Sequence, residues 1–216
     1  MAVTYQSQAS ATPSSGTTIT VTKPSGTVDG DVLVALIVAE SSTPGVTITP
    51  PAGWTAVGSG GVPSGTNRIG GCWSRVAGGS EPANYTFSIN NALIRSVGVL
   101  LRYAPQSPTT PPGVIDAAAM AGTVTAPGVA PSLDATGNAD TLISLFAAQT
   151  TQGSTPTGMI ERALILQDNI DVGVYDELLS APGATGTREW TGSSNARSWS
   201  ILLLASQAGS RIRMMI

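Results

Sequence analysis

The sequence predicts an all-β protein: a two-sheet antiparallel sandwich, jelly-roll-like, built from two pseudo-repeated halves. Three observations predict it. Apolar residues recur with a period of two rather than at helical spacing, as in "TTITVT" (17–22) and "NYTFSI" (84–89). Turn-forming residues are abundant, with 25 Gly and 15 Pro in 216 residues. Charged residues make up only 11% and hydrophobic residues 41%, a balance that can build a core and is too apolar for a disordered chain.

The elements follow in order. Residues 1–16 are mostly Ser, Thr, Ala and Gln, and are expected to be an N-terminal arm. A single sandwich domain is expected over 17–206. Ile19 and Val21 share one strand face, and Val32–Ala39 is apolar on both faces, as a central strand must be. "RIGGCWSRVA", from Arg68, reads as a strand whose paired glycines mark a bulge or a close backbone approach. Tyr85, Phe87 and Ile89 fall on one face of the next strand. Val97, Val99, Leu101 and Tyr103 fall on one face of the strand after it. Further strands are expected at Thr141–Ala147, Met159–Leu166, Val172–Leu179, Thr187–Thr191 and Ala196–Ala205. "TPPAGW", "GSGGVPSGTN", "APQSPTTPPG" and "SAPGATGT" read as turns and loops. The best helix candidate is one short turn at Asp116–Met120, "DAAAM". Residues 207–216 are expected to be a C-terminal tail.

The halves are expected at about 26–104 and 135–205. "TVDGDVLVALIVAE" (27–40) and "ATGNADTLISLFAAQ" (135–149) are both a small polar turn ending in Asp and then an apolar run. Four landmarks recur in the same order. Asp31 and Asp140 lie 109 residues apart, Gly53 and Gly158 105, Pro82 and Pro182 100, and Ser96 and Ser198 102. Constant order with a small drift is what loop insertions in a duplicated module produce. One half alone would leave an apolar sheet face uncovered, so each half is expected to supply strands to a shared core.

The chemistry-bearing residues are few. The chain has no histidine, which removes the commonest general base and metal ligand and excludes Ser-His-Asp and Cys-His catalysis. Cys72, the single cysteine, lies in an alternating strand and reads as a small buried residue. Asp29 with Asp31, and Asp168 with Asp171, are the pairs that calcium would use, but no full ligand spacing accompanies them, and Asp31 reads as a turn cap. No metal and no cofactor is expected. Asn84 heads "NYT", which reads as the start of a strand. Net charge is −3 and ten basic residues are scattered, so no phosphate-tracking patch and no nucleic-acid partner is expected. The apolar runs are too short for a membrane-spanning helix, and the N-terminus lacks the basic-then-apolar pattern of a secretory signal.

"VDGDVLVALIV", "PPAGWT", "WSRVAGGSEPANYTFSI" and "SVGVLLRYA" resemble a family of β-sandwich proteins of tailed-bacteriophage genomes and prophages. "ATGTREWT" and "SWSILLLA" fit the same pattern, so the resemblance spans about Gly26 to Ala205. It implies a non-enzymatic virion component, a capsid decoration protein or a tail-associated one, made in the host cytoplasm. It implies no catalytic residue.

The partner expected is the major capsid protein or another virion protein, met by a homo-oligomer, a trimer by preference. The contact residues expected are Trp54, which follows the "PPAG" turn, and the tail Arg211, Ile212, Arg213, Met214, Met215 and Ile216, an apolar tip after two arginines. For Trp54 the competing reading is a buried lid on the sandwich edge. The competing function is a carbohydrate- or receptor-binding module.

Overall fold

Two largely apolar segments, Val32–Ser41 and Thr141–Gln149, become the central strands of two five-stranded sheets. The structure, a computed structural model, describes residues 3–105, 115–122, 127–135, 137, 139–149, 153–191 and 194–203. The first half holds β1 (Val3–Ala11), β2 (Thr18–Thr22), β3 (Val32–Ser41), β4 (Ile48–Thr49), β5 (Thr55–Pro63), β6 (Arg68–Val76), β7 (Asn84–Ile89) and β8 (Leu93–Pro105). The second holds β9 (Ile115–Gly122), β10 (Gly128–Ala130), β11 (Asp134–Ala135), β12 (Thr141–Gln149), β13 (Ile160–Gln167), β14 (Ile170–Leu178), β15 (Gly183–Ala184), β16 (Arg188–Trp190) and β17 (Ser194–Leu203). The described residues contain no helix, and none long and apolar enough to cross a membrane.

The expected all-β sandwich is what the chain forms, with antiparallel pairing throughout the ladders. One large sheet has the order β1-β8-β3-β6-β5 and the other β13-β14-β12-β17-β9. They face each other over a shared core that includes Val34, Leu36, Val99 and Leu101 from the first half and Ile143, Leu145, Trp199 and Ile201 from the second. Each outer face is covered in turn. The sheet β2-β7-β4 lays Ile19, Tyr85 and Phe87 over Leu33, Ile37 and Trp73, and the pair β10-β16 lays Trp190 over Leu142, Phe146 and Tyr175. There are thus four layers where the sequence predicts two. The added layers explain why β3 is apolar on both faces: its even residues enter the shared core, and its odd ones lie under β2 and β7. Full burial of each Leu in such a strand stabilises by about 1.5–3 kcal/mol.

The two large sheets read alike in chain order. β3 lies between β8 and β6, and β12 between β17 and β14; β1 and β5 are the outer strands of one sheet, β9 and β13 of the other. Val34 sits between Leu101 and Ser74, and Ile143 between Ile201 and Asp176. The turns match too. Gly30 N–H donates to the Ala77 carbonyl and Ala77 N–H to that of Asp31, while Ala139 N–H donates to the Leu179 carbonyl and Leu179 N–H to that of Asp140. Asp31 Oδ2 accepts Val28 N–H at 2.8 Å, and Asp140 Oδ2 accepts Gly137 N–H at 3.0 Å. Gly98 pairs with Ile37 of β3, and Ser198 with Phe146 of β12.

β3 and β12 point the same way. Where they begin, Thr141 Oγ1 donates to the Val3 carbonyl and Tyr103 Oη to Asp176 Oδ2. Where they finish, Arg197 Nη2 donates to the Pro63 carbonyl at 2.7 Å, and Gly70 lies against Trp199 and Ala147. The starts of β3 and β12 therefore lie at one end of the molecule and their finishes at the other.

Three local expectations are corrected. Residues 3–11 are not an arm: "VTYQSQASA" pairs with β8 and buries Val3 fully, because the large sheet needs an outer strand and the residues alternate. "DAAAM" is not a helical turn. It lies within β9, where the ladder to β17 overrides the helix preference of alanine. "GSGGVPSGTN" is read as loop, but its first half belongs to β5, which keeps its pairing to β6 across a register shift between Ala56 and Gly61. The paired glycines of β6 mark a close approach, as expected. A Cβ on Gly71 would stand 2.3 Å from the Trp73 ring, and one on Gly70 3.0 Å from the Trp199 ring of the facing sheet. The tail 207–216 lies outside the described residues.

Candidate functional site

Four exposed aliphatic side chains stand at the end at which β3 and β12 begin. Val76 is the last residue of β6 and pairs with Val32; Leu178 is the last of β14 and pairs with Thr141. Both are exposed, at 55% and 57%. Val28 adds to them from the turn that Asp31 caps, and Ile160 from the start of β13, opposite Asp176. Two other exposed aliphatics, Ile94 and Leu166, are not at this end.

Between β1 and the second sheet, this end opens into a cleft of about 110 Å³, lined in part by Tyr5, Ile160, Arg162, Asp176 and Leu178. Alternation on β14 sends Asp176 toward the facing sheet, and β13 places Arg162 beside it. Arg162 Nε donates to Asp176 Oδ1 at 2.8 Å, and Tyr103 Oη to Oδ2 at 3.1 Å. The Arg162 guanidinium stacks over the Tyr5 ring at 4.6 Å, and Tyr5 meets Tyr103 edge-on at 5.9 Å. Burial pushes the Asp176 carboxyl above its ordinary value, against the opposing pull of Arg162 and Tyr103. Burial also raises the hydroxyls of Tyr5 and Tyr103. Both carboxylate oxygens of Asp176 have a donor, which holds the group in place. A rigid aromatic, a stacked cation and an aliphatic rim are the make-up of a protein contact.

The structure distributes the sequence-predicted residues as follows. Trp54 is not an exposed contact. Gly53, at φ +83°, turns the chain so that the indole packs edge-on against Tyr85 at 5.2 Å and Phe87 at 5.6 Å, leaving it 8% exposed. It is the buried lid of the competing reading. Arg211, Ile212, Arg213, Met214, Met215 and Ile216 lie outside the described residues. Cys72 is fully buried, and burial pushes its thiol far above its ordinary value. Asp31 accepts Val28 N–H and, at 2.6 Å, Arg102 Nε. Asp171 is 7% exposed, and burial pushes its carboxyl up against one backbone hydrogen bond from Gln167. Among the described residues no group of three or more His, Cys, Asp and Glu is placed to hold a metal ion.

Sequence reasoning missed Val76, Ile160, Leu178, Tyr5 and Arg162. An aliphatic at the end of an alternating strand looks the same whether its last position is covered or open. Tyr5 and Arg162 meet only because β1 faces the second sheet. No protein-family model, no curated protein and no solved structure matches this chain.

Proposed function

We propose that the chain is a non-enzymatic structural protein of a bacteriophage virion, a capsid decoration protein that docks on the assembled head through the end bearing Val76 and Leu178. The observation that carries this reading is the exposure of these two residues at one end, where Val28 and Ile160 are exposed too. Desolvating such side chains against a shell is favourable, at about 25 cal/mol per Å² of apolar surface. Other features support it. The buried carboxylates serve the fold: Glu40 bridges Arg68 and Arg95, each at 3.0 Å, Asp31 holds Arg102, and Glu81 holds Arg75 at 2.7 Å. Matching strand order and matching turn bonds support a duplicated module, each half a jelly roll backed on the other. Jelly rolls recur in viral capsid proteins. β17 ends at Leu203, opposite Thr141, so the chain leaves that strand at the same end. The tail Arg211–Ile216 contributes to the same contact, and copies of the chain assemble as trimers on the shell, where repeated weak contacts add through avidity.

Co-sedimentation with undecorated heads tests the reading. The intact protein pellets with heads. Val76→Asp combined with Leu178→Asp abolishes pelleting while the circular dichroism of the sandwich is retained, and deletion of 211–216 weakens it. Failure of the intact protein to bind any head would sink the head-decoration reading in favour of a tail position.

A further inference from the structure

We propose that the second half carries a binding site for a neutral polyhydroxylated ligand, a glycan, in an open groove that the first half fills with its own side chains. The groove has a volume of about 590 Å³ and runs between the segment 154–158 and β16, with Ser154, Thr155, Thr157, Glu177, Arg188 and Glu189 on its walls. β16 has one hydrogen-bonded neighbour strand, β10, and the groove follows its other edge.

The comparison between halves carries the inference. By register, Glu177 corresponds to Arg75 and Met159 to Trp54. Counting back two residues from the buried rings Phe87 and Trp190 puts Tyr85 and Arg188 at the same station. In the first half, Arg75 lies over Trp54 at 5.9 Å and Tyr85 at 5.5 Å, donates to Glu81 at 2.7 Å, and reaches the Ala52 carbonyl at 3.5 Å. Rings and guanidinium close that place. In the second half the charge order is reversed, the aromatic pair is replaced by Met159 and Arg188, and the space is open. Glu177 and Arg188 pair along its wall.

The polar groups left there are fixed in advance. Arg188 Nη1 donates to the carbonyls of Thr185 at 2.8 Å and Thr187 at 3.1 Å, and Nη2 to Glu177 Oε1. Arg188 Nε is buried and has no hydrogen-bond partner among the described residues. Glu177 Oε2 stands over Gly158, 3.4 Å from where a Cβ would be, so a side chain at 158 would crowd it. The Ser154 and Thr191 hydroxyls share a hydrogen bond of 2.5 Å. Hydroxyls both donate and accept, carboxylates accept from vicinal hydroxyl pairs, and a guanidinium donates, which is the complement of a sugar edge. Because these groups are already held, little conformational entropy is lost on binding. Two glutamates against one arginine leave the walls with one net negative charge, which favours neutral over acidic glycans.

Affinity electrophoresis through gels containing dextran, mannan, galactan or polygalacturonate tests this on the full chain. At least one neutral polysaccharide retards the protein, and polygalacturonate does not. Glu177→Gln, which removes a charged hydrogen-bond acceptor, and Thr157→Trp, which fills the groove, each weaken retardation roughly tenfold or more. Val76→Asp leaves retardation unchanged while it weakens head binding, so the two sites fail separately. No retardation by any neutral polysaccharide overturns the proposal. So does retardation by polygalacturonate alone, or retardation that survives both groove substitutions in folded protein. Capture of an extended peptide along β16 without any glycan binding also overturns it.

Discussion

Tyr103 and Asp176 come from different halves and meet between the two large sheets, Tyr103 Oη donating to Asp176 Oδ2 at 3.1 Å with the residues 0% and 3% exposed. Burial raises the Asp176 carboxyl above its ordinary value of 3.8, with Arg162 and Tyr103 opposing. A native state that holds its proton more tightly than the unfolded chain loses stability as pH rises from 3.8 through the raised value, and the loss is complete above it. Denaturant unfolding of the native protein and of Asp176→Asn, from about pH 3 to about pH 7, isolates this component. The stability difference moves against the native protein as pH rises through that window and is flat above it. A difference moving the other way would show that the Arg162 pairing outweighs desolvation. Tyr103→Phe costs about 1–3 kcal/mol, since it leaves a buried carboxylate oxygen without that donor.

Gly30 and Ala139 each precede the Asp that opens a central strand, at φ +86° and +70°. Alanine is strained there by about 1–2 kcal/mol, and glycine gives back about 0.4–1 kcal/mol through its looser unfolded chain. Ala139→Gly is expected to stabilise by about 0.5–1 kcal/mol, and Gly30→Ala to destabilise by a similar amount. A Cβ on Gly30 would meet no atom within 4 Å, so the effect reads the backbone alone. Equal signs for the two exchanges in denaturant unfolding would show that backbone conformation does not govern these turns.

Leu36 and Leu203 are buried in the core between the large sheets and Leu100 beneath the smaller sheet of the first half. Each change to alanine should cost about 2–5 kcal/mol. Values near zero at all three would mean that these strands face the other way.

Much of the fold is legible in the residues alone. Period-two alternation places Ile19, Val21, Tyr85, Phe87, Val97, Val99 and Leu101 on buried faces, because a strand's side chains must point alternately to its two sides. An Asp before each long apolar run marks the turn that opens each central strand. Short glycine-rich or alanine-rich strands such as β5 and β9 are not legible, since their pairing comes from the neighbouring strand and not from their own preference. The candidate site is hardly legible at all. The residues 3–11 look like an arm until β8 offers them an edge, and Trp54 reads as either a contact or a lid until Gly53 is seen to turn it under Arg75. Local sequence determines which residues want to be buried and where the chain turns. Only the packing of one sheet on another decides which ends stay open: Val76 and Leu178 are uncovered at one end, and a groove is open beside Arg188. That outcome depends on contacts between residues a hundred positions apart, and nothing in either segment alone specifies it.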